Sequence, residues 1–298
     1  MSSNGHGPYP TLKDQLAGDE IIIAPGCFDA FSAMMVQQAG FSVGYITGAS
    51  IAYTRLGRPD IGLVSMNEVA MTVSLIAERV EIPLIVDGDT GWGNAINTQR
   101  TVRLFEASGA TAIQLEDQTF PKRCGHLKGK SLIPAAEMVG KIKAAADARR
   151  SDDFLIIGRT DAIAVEGYDK AIERAERYVE AGADILFIEA PESEDQQRDM
   201  CARFKGRVPL LANMVEGGST PLKTAADLQE LGYSIVIFPG GLFRAYSLLA
   251  GEYFASLKKH GTTNAFRNRM YDLKQINDLL GTDEILKNGA QYDAANFE

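Results

Sequence analysis

Cysteine is scarce in this chain. There are three in 298 residues, Cys27, Cys124 and Cys201, widely separated and odd in number. That argues against a disulfide framework and for a reducing, cytoplasmic setting. An excess of positive charge is also missing. Thirty Lys and Arg residues stand against 39 Asp and Glu, for a net charge of −9, which leaves no basic surface of the kind that holds nucleic acid. No apolar run is long enough to span a membrane. The opening MSSNGHGPYP lacks the apolar core of a secretory leader, and the closing Ala295-Asn296-Phe297-Glu298 is no peroxisomal address. No Gly-x-Gly-x-x-Gly follows the first apolar run, and no phosphate-loop lysine pattern occurs.

What is present is ordinary globular composition, 45% hydrophobic and 23% charged, ample for a large core. Eight short apolar runs recur along the chain: Ile21–Ala24, Val43–Ile46, Pro83–Val86, Ala112–Leu115, Phe154–Ile157, Ile185–Ile188, Pro209–Ala212 and Ser234–Phe238. They do not alternate with polar residues, as expected of strands buried on both faces in a parallel sheet. Helical patterns such as 169–181 and 224–231 separate most of them. Asp29 before a run ending at Gln38, with Gly40 closing it, has the asymmetry of a helix start and stop. The alternation predicts an α/β fold, a (β/α)8 TIM barrel, with a doubly wound sheet as the alternative. Residues 1–10 read as a disordered tail and 11–260 as the barrel, beginning with a short helix over 11–18. Residues 261–298 read as a C-terminal helical extension packing on a partner subunit.

The chemistry of such a barrel sits at the C-terminal ends of its strands. Four acids fall there, Asp60, Asp87, Asp89 and Glu116. Clustered carboxylates repel one another unless a cation or a proton relieves them, and an all-oxygen donor set suits Mg²⁺ or Mn²⁺. Only His126 lies near them, which makes zinc a poor fit. Taken alone, Asp87-Gly88-Asp89 also reads as a plain turn. Thr47, Gly48 and Ala49 offer unobstructed backbone N–H groups for a carboxylate or phosphate oxygen. Arg159 could pair a second carboxylate, or close a salt bridge to Glu189 or Asp161. Finally, Gln118 to Lys130, QTFPKRCGHLKGK, places Cys124 among Lys122, Arg123, His126, Lys128 and Lys130 in a glycine-flanked loop. A thiol in such surroundings has a lowered pKa and is reactive, unless the loop is a solvated basic stretch with an incidental cysteine.

Taken together, Lys122-Arg123-Cys124-Gly125-His126, Asp87-Gly88-Asp89-Thr90-Gly91, Leu115-Glu116-Asp117-Gln118, Gly158-Arg159-Thr160-Asp161 and Asn213-Met214 resemble the isocitrate lyase/phosphoenolpyruvate mutase superfamily over roughly residues 20–250. The resemblance is closest to members such as 2-methylisocitrate lyase and 2,3-dimethylmalate lyase. It implies a carbon–carbon lyase that cleaves a 2-hydroxy di- or tricarboxylate to a 2-oxo acid such as pyruvate plus a second carboxylic acid. It implies Mg²⁺ (or Mn²⁺) at Asp87, with Asp89, Glu116 and Asp60 acting directly or through water. Cys124 then matches the catalytic acid/base, Tyr45 a tyrosine near the reacting hydroxyl, and His126 a group that sets the thiol. Thr47, Gly48, Ala49, Gly125, Arg159, Glu189, Asn213 and Arg244 match substrate-binding positions. A homotetramer, a dimer of helix-swapped dimers, is the implied assembly. A carboxyphosphonoenolpyruvate-type phosphonomutase is the alternative. An oxaloacetate hydrolase is disfavoured, because Gly241 stands where such enzymes resembling this chain carry Ser.

Overall fold

The structure, a computed structural model, describes residues 9–125, 127 and 129–297. His126 and the first eight residues of the expected tail lie outside the described residues. The chain forms two compact units, one through Leu242 and one from Phe243 onward.

In the first unit every expected apolar run is a strand. These are β1 (Ile22–Cys27), β2 (Gly44–Ile46), β3 (Leu84–Asp87), β4 (Ala112–Glu116), β5 (Leu155–Thr160), β6 (Ile185–Ile188), β7 (Leu211–Asn213) and β8 (Ile235–Phe238). All neighbours pair in parallel in the order β6-β5-β4-β3-β2-β1-β8-β7. A parallel bridge between Leu186 and Leu210, with Leu186 N donating to Pro209 O at 3.0 Å, brings β6 and β7 together. Because those two ends of the order meet, the sheet is a nearly closed (β/α)8 barrel and not an open doubly wound sheet. β5 runs three residues past the expected apolar stretch. Its ladder with β4 continues through Leu115↔Gly158 and Glu116↔Arg159, so two charged side chains stand side by side on paired strands.

Helices follow the strands, and several of their starts are fixed by short polar side chains. Asp29 caps Ala30–Gln38 by accepting from Ser32 N at 2.7 Å. Ser65 and Glu68 form a capping box on Met66–Arg79, as Thr224 and Asp227 do on Ala225–Leu231. Every residue of β2 through β6 is buried, which accounts for the unbroken apolar runs.

Alternation along each strand decides what fills the barrel. Ile22, Ala24, Val43, Tyr45, Ile85, Ala112, Leu155, Ile157, Ile185, Phe187, Leu211, Ile235 and Ile237 form one buried cluster. Continuing the same two-residue steps toward the strands' C-terminal ends gives Thr47, Asp87, Gln114 and Glu116, Arg159, Glu189 and Asn213. The interior therefore changes from apolar to polar along its axis. Leu12 joins the apolar cluster, fully buried, from a helix over Leu12–Leu16 held by a Thr11–Asp14 capping box.

The second unit contains most of the helix Gly241–His260, a 3-10 segment Asn264–Arg269, and helices Leu273–Leu280 and Thr282–Ala290. Among the described residues, no helix is long and apolar enough to cross a membrane.

Replacing Leu12 by Ala should lower unfolding free energy by about 2–5 kcal/mol, as for a large-to-small change in a packed core. Urea denaturation checks this. A loss below about 1 kcal/mol would show that the leading helix is not part of the barrel's core.

Candidate active site

β3 ends in Asp87, and the chain then passes through a costly turn. Asp89 (φ 43°) and Trp92 (φ 53°) both occupy the left-handed region, which residues with side chains adopt only where surrounding structure enforces it. The restraints are visible. Asp87 Oδ1 accepts from Asp89 N at 3.1 Å, Gly91 N donates to Gly88 O at 2.8 Å, and Glu116 N donates to Asp89 O at 2.9 Å. Lys141, buried on the helix Ala135–Ala148 that follows β4, donates to Thr90 O. The turn thus aims Asp87 and Asp89 at the same region. An added Cβ on Gly48 would meet Asp87 Oδ2 at 3.2 Å and Asp89 Oδ1 at 3.5 Å, so the glycine lets the backbone lie close against both acids.

The charge in this region is balanced by a lysine that the sequence reading assigned only to the thiol loop. Lys122 Nζ lies 2.6 Å from Asp60 Oδ1 and 2.7 Å from Asp89 Oδ1, and all three residues are buried. Burial pushes the Asp89 carboxyl up, and Asp87 and Asp60 add to the rise against the pull of Lys122. The result is about 7.

Beside this group stands Arg159. Asp161 holds it from behind, accepting from Nε at 2.9 Å and from Nη2 at 3.2 Å. Its Nη1 is 3.3 Å from Glu116 Oε2 and its Nη2 is 3.5 Å from Glu189 Oε2. The guanidinium also lies over the Phe187 ring, 5.0 Å from its centroid. Asn213 Nδ2 donates to Glu189 Oε2 at 3.0 Å. Glu116 is buried, which pushes its carboxyl well above the usual range with Arg159 opposing, and its Oε1 has no hydrogen-bond partner among the described residues. The alternatives left open for Arg159 both hold, since it pairs with Asp161 and with Glu189.

Tyr45 lies one layer deeper. Its hydroxyl donates to Gln114 Oε1 at 3.0 Å, and Gln114 Nε2 donates to Asp87 Oδ1 at 3.3 Å. Burial, then the charge of Asp87, push the Tyr45 hydroxyl well above its ordinary pKa, so it keeps its proton. Gln114 escaped the sequence reading. Its signal was a lone amide inside the apolar run Ala112–Leu115, at an inward position.

The thiol loop reaches the same place. Cys124, half-buried, donates its backbone N–H to Asp60 O at 3.2 Å. Gly125 is packed so closely that a Cβ there would come 2.5 Å from Arg159 Nη2 and 2.9 Å from Glu189 Cγ. Thr47 is buried at the end of β2 and caps the short helix Gly48–Ile51, which contains Ala49. The structure therefore assembles Asp60, Asp87, Asp89, Glu116, Arg159, Glu189, Asn213, Gly48 and the Cys124-Gly125 pair. Arg244 belongs to the second unit, and His126 lies outside the described residues.

Among the described residues, no three acidic, histidine or cysteine side chains close into a ready metal cage. The donor set nevertheless fits a hard cation. Asp87 Oδ2 and Asp89 Oδ1 face one point above Gly48, Glu116 Oε1 is buried and unpartnered, and an ammonium already occupies the cation's electrostatic role at Asp89. An ion held by one or two carboxylates, with water and substrate completing its shell, is the usual arrangement for Mg²⁺.

The family model described as phosphoenolpyruvate phosphomutase matches residues 12–257. Two curated relatives are similar over nearly their whole lengths. The 2-methylisocitrate lyase of Aeropyrum pernix is 46% identical over 285 residues, covering 95% of this chain and 91% of that protein. The 2,3-dimethylmalate lyase of Eubacterium barkeri is 42% identical over 274 residues, covering 92% and 94%. A crystal structure of 2,3-dimethylmalate lyase superposes with a TM-score of 0.89 at 35% identity, covering 96% of this chain and 95% of that one. A phosphonopyruvate hydrolase solved with oxalate and Mg²⁺ superposes at 0.85 and 33%, covering 94% and 97%.

The Asp89 shift has a consequence for stability. Its folded value, about 7, exceeds the unfolded value near 4. Between those pH values the folded protein holds a proton that the unfolded chain has lost, so stability falls as pH rises through that window. A divalent cation bound to the ionised acids would offset the loss. Mg²⁺ should therefore raise the melting temperature more at pH 8 than at pH 5.5. Equal shifts at both pH values would put the bound ion elsewhere.

Proposed function

Because the chain belongs to the phosphoenolpyruvate phosphomutase family, we propose that it is a Mg²⁺-dependent carbon–carbon lyase acting on a 2-hydroxy di- or tricarboxylate of the 2-methylisocitrate or 2,3-dimethylmalate type. The products are a 2-oxo acid such as pyruvate and a second carboxylic acid. The observation that carries this reading is the packing of Gly125 on Arg159 and Glu189. It sets the neighbouring Cys124 beside a group of inward-facing acids and a guanidinium suited to such a substrate.

Asp87 and Asp89 would hold the ion, with Glu116 and Asp60 acting on it directly or through water. When bound, it supplies Lewis acidity toward hydroxyl and carboxylate oxygens. Arg159, fixed in orientation by Asp161, pairs a substrate carboxylate, and Glu189 and Asn213 read its polar groups. Gly48 offers its bare backbone to the substrate between Thr47 and Ala49. Tyr45 does not take the hydroxyl proton, because its own proton is spent on Gln114. It orients Gln114 and through it Asp87. Glu116, as the carboxylate facing Arg159 with its Oε1 buried and unpartnered among the described residues, is the group placed to receive that proton. As the carbon–carbon bond breaks, its electron pair passes to the departing fragment. The Cys124 thiol protonates that carbon, while Arg159 balances the charge that develops.

Gly241 bears on the alternatives. A Cβ there would come 3.1 Å from Glu216 Oε1, and no hydroxyl is present to serve a hydrolase. The phosphonomutase alternative would use the same acids.

A coupled 2-oxo acid assay with Mg²⁺ tests the proposal on 2-methylisocitrate, 2,3-dimethylmalate, other 2-alkylmalates, isocitrate and oxaloacetate. One substituted malate should release pyruvate, and EDTA should stop it. Cys124→Ser should lose roughly 10²-fold or more in kcat with KM largely kept. Silence on every hydroxy acid, with a phosphorus NMR change on a carboxyphosphonoenolpyruvate-like compound, would overturn the lyase in favour of the mutase.

A further inference from the structure

Behind β7, against the helix Glu194–Phe204, lies a cavity of about 10 Å³ walled by Phe187, Ala190, Gln197, Asn213, Thr220 and Tyr233. That is room for one water molecule. Gln197 is completely buried and Thr220 nearly so. Gln197 Oε1 and Nε2, Thr220 Oγ1 and Asn213 Oδ1 are all buried with no hydrogen-bond partner among the described residues. Buried amides and hydroxyls are rarely left unpaired. Three such residues lining one water-sized space point to a shared partner.

We propose that this cavity binds one ordered water and that Gln197 is a positioning residue acting on Asn213 through it. The water accepts from, or donates to, one end of the Gln197 amide and Thr220 Oγ1, and it donates a proton to Asn213 Oδ1. The consequence lies on the other side of Asn213. Its Nδ2 donates to Glu189 Oε2 at 3.0 Å, and that oxygen is 3.5 Å from Arg159 Nη2. Were the Asn213 amide turned over, its oxygen would face the Glu189 carboxylate. A donor on the cavity side favours the orientation that keeps nitrogen toward Glu189. Gln197 thus sets, at one remove, the polar edge that meets the substrate. This inference rests on the reading of Glu189 and Asn213 as substrate-binding groups.

The test starts with crystals of the full chain diffracting to about 1.5 Å or better, where ordered water is resolved. One water should lie within hydrogen-bond distance of Gln197, Thr220 and Asn213 Oδ1. An empty cavity, or one closed by Gln197 bonding Thr220 directly, would overturn the proposal whatever the enzyme cleaves. Gln197→Leu and the near-isosteric Thr220→Val come next, the second in case the first does not fold. Each should lose the water and lengthen the Asn213–Glu189 contact. KM for the acid that turns over should rise roughly 3- to 10-fold, the worth of one hydrogen bond, with kcat changing less. Variants that lose the water yet keep both the contact and KM would refute the positioning role. If no hydroxy acid turns over, the lyase reading fails separately. The water and the Asn213–Glu189 distance still decide this inference.

Discussion

Charge buried at one end of the barrel must be matched, and most of the site follows from that. Glu116, Asp161, Asp60 and Asp89 are all buried, and so are the cations Arg159 and Lys122 that face them. A buried ion without a partner costs several kcal/mol, and removing one member of a buried pair typically costs about 3–5 kcal/mol. Each side chain is therefore fixed by its neighbours. Asp161 holds Arg159, Arg159 faces Glu116 and Glu189, and Lys122 bridges Asp60 and Asp89. The same mutual dependence gives the site its preorganisation, since groups held this way need little rearrangement during a reaction.

The thiol loop is tied into that balance at both ends. Lys122 precedes Cys124 and sits among the acids. Lys130 follows it, pairing with Asp161 at 2.9 Å and donating to Gly125 O. Stability and chemistry share these contacts, so the loop's position reports on the charge of the site beneath it.

A second buried group supports the first from outside the barrel interior. Asp117 accepts from Thr160 Oγ1 and Tyr178 OH, both at 2.7 Å, and from Asp161 N at 3.0 Å. Arg174 approaches it at 3.3 Å while pairing Glu166 through two nitrogens. The ends of β4 and β5 are thereby locked together, and Asp161 is presented to Arg159 in one orientation. None of these helix residues lies near Asp117 in sequence, and nothing in their spacing suggested the association.

The alternation of the sequence by itself determined a parallel sheet with helices on its faces, since eight apolar runs separated by helical patterns must be covered on both sides. Closure into a barrel was decided by the contact between β6 and β7, which sequence spacing does not carry. The alternation also determined which polar side chains gather, because Asp87, Glu116, Arg159, Glu189 and Asn213 each fall at or just past the end of such a run. Tertiary structure alone decided how they are paired. Sequence spacing carries no information on which cation meets which acid across the barrel, so Lys122 was read as a thiol neighbour when its ammonium lies between Asp60 and Asp89. Nor could it show that Tyr45 is hydrogen-bonded to Asp87 through Gln114. The depth of a residue within a barrel depends on strand stagger and on the partner strand. Those quantities exist only once the sheet has closed.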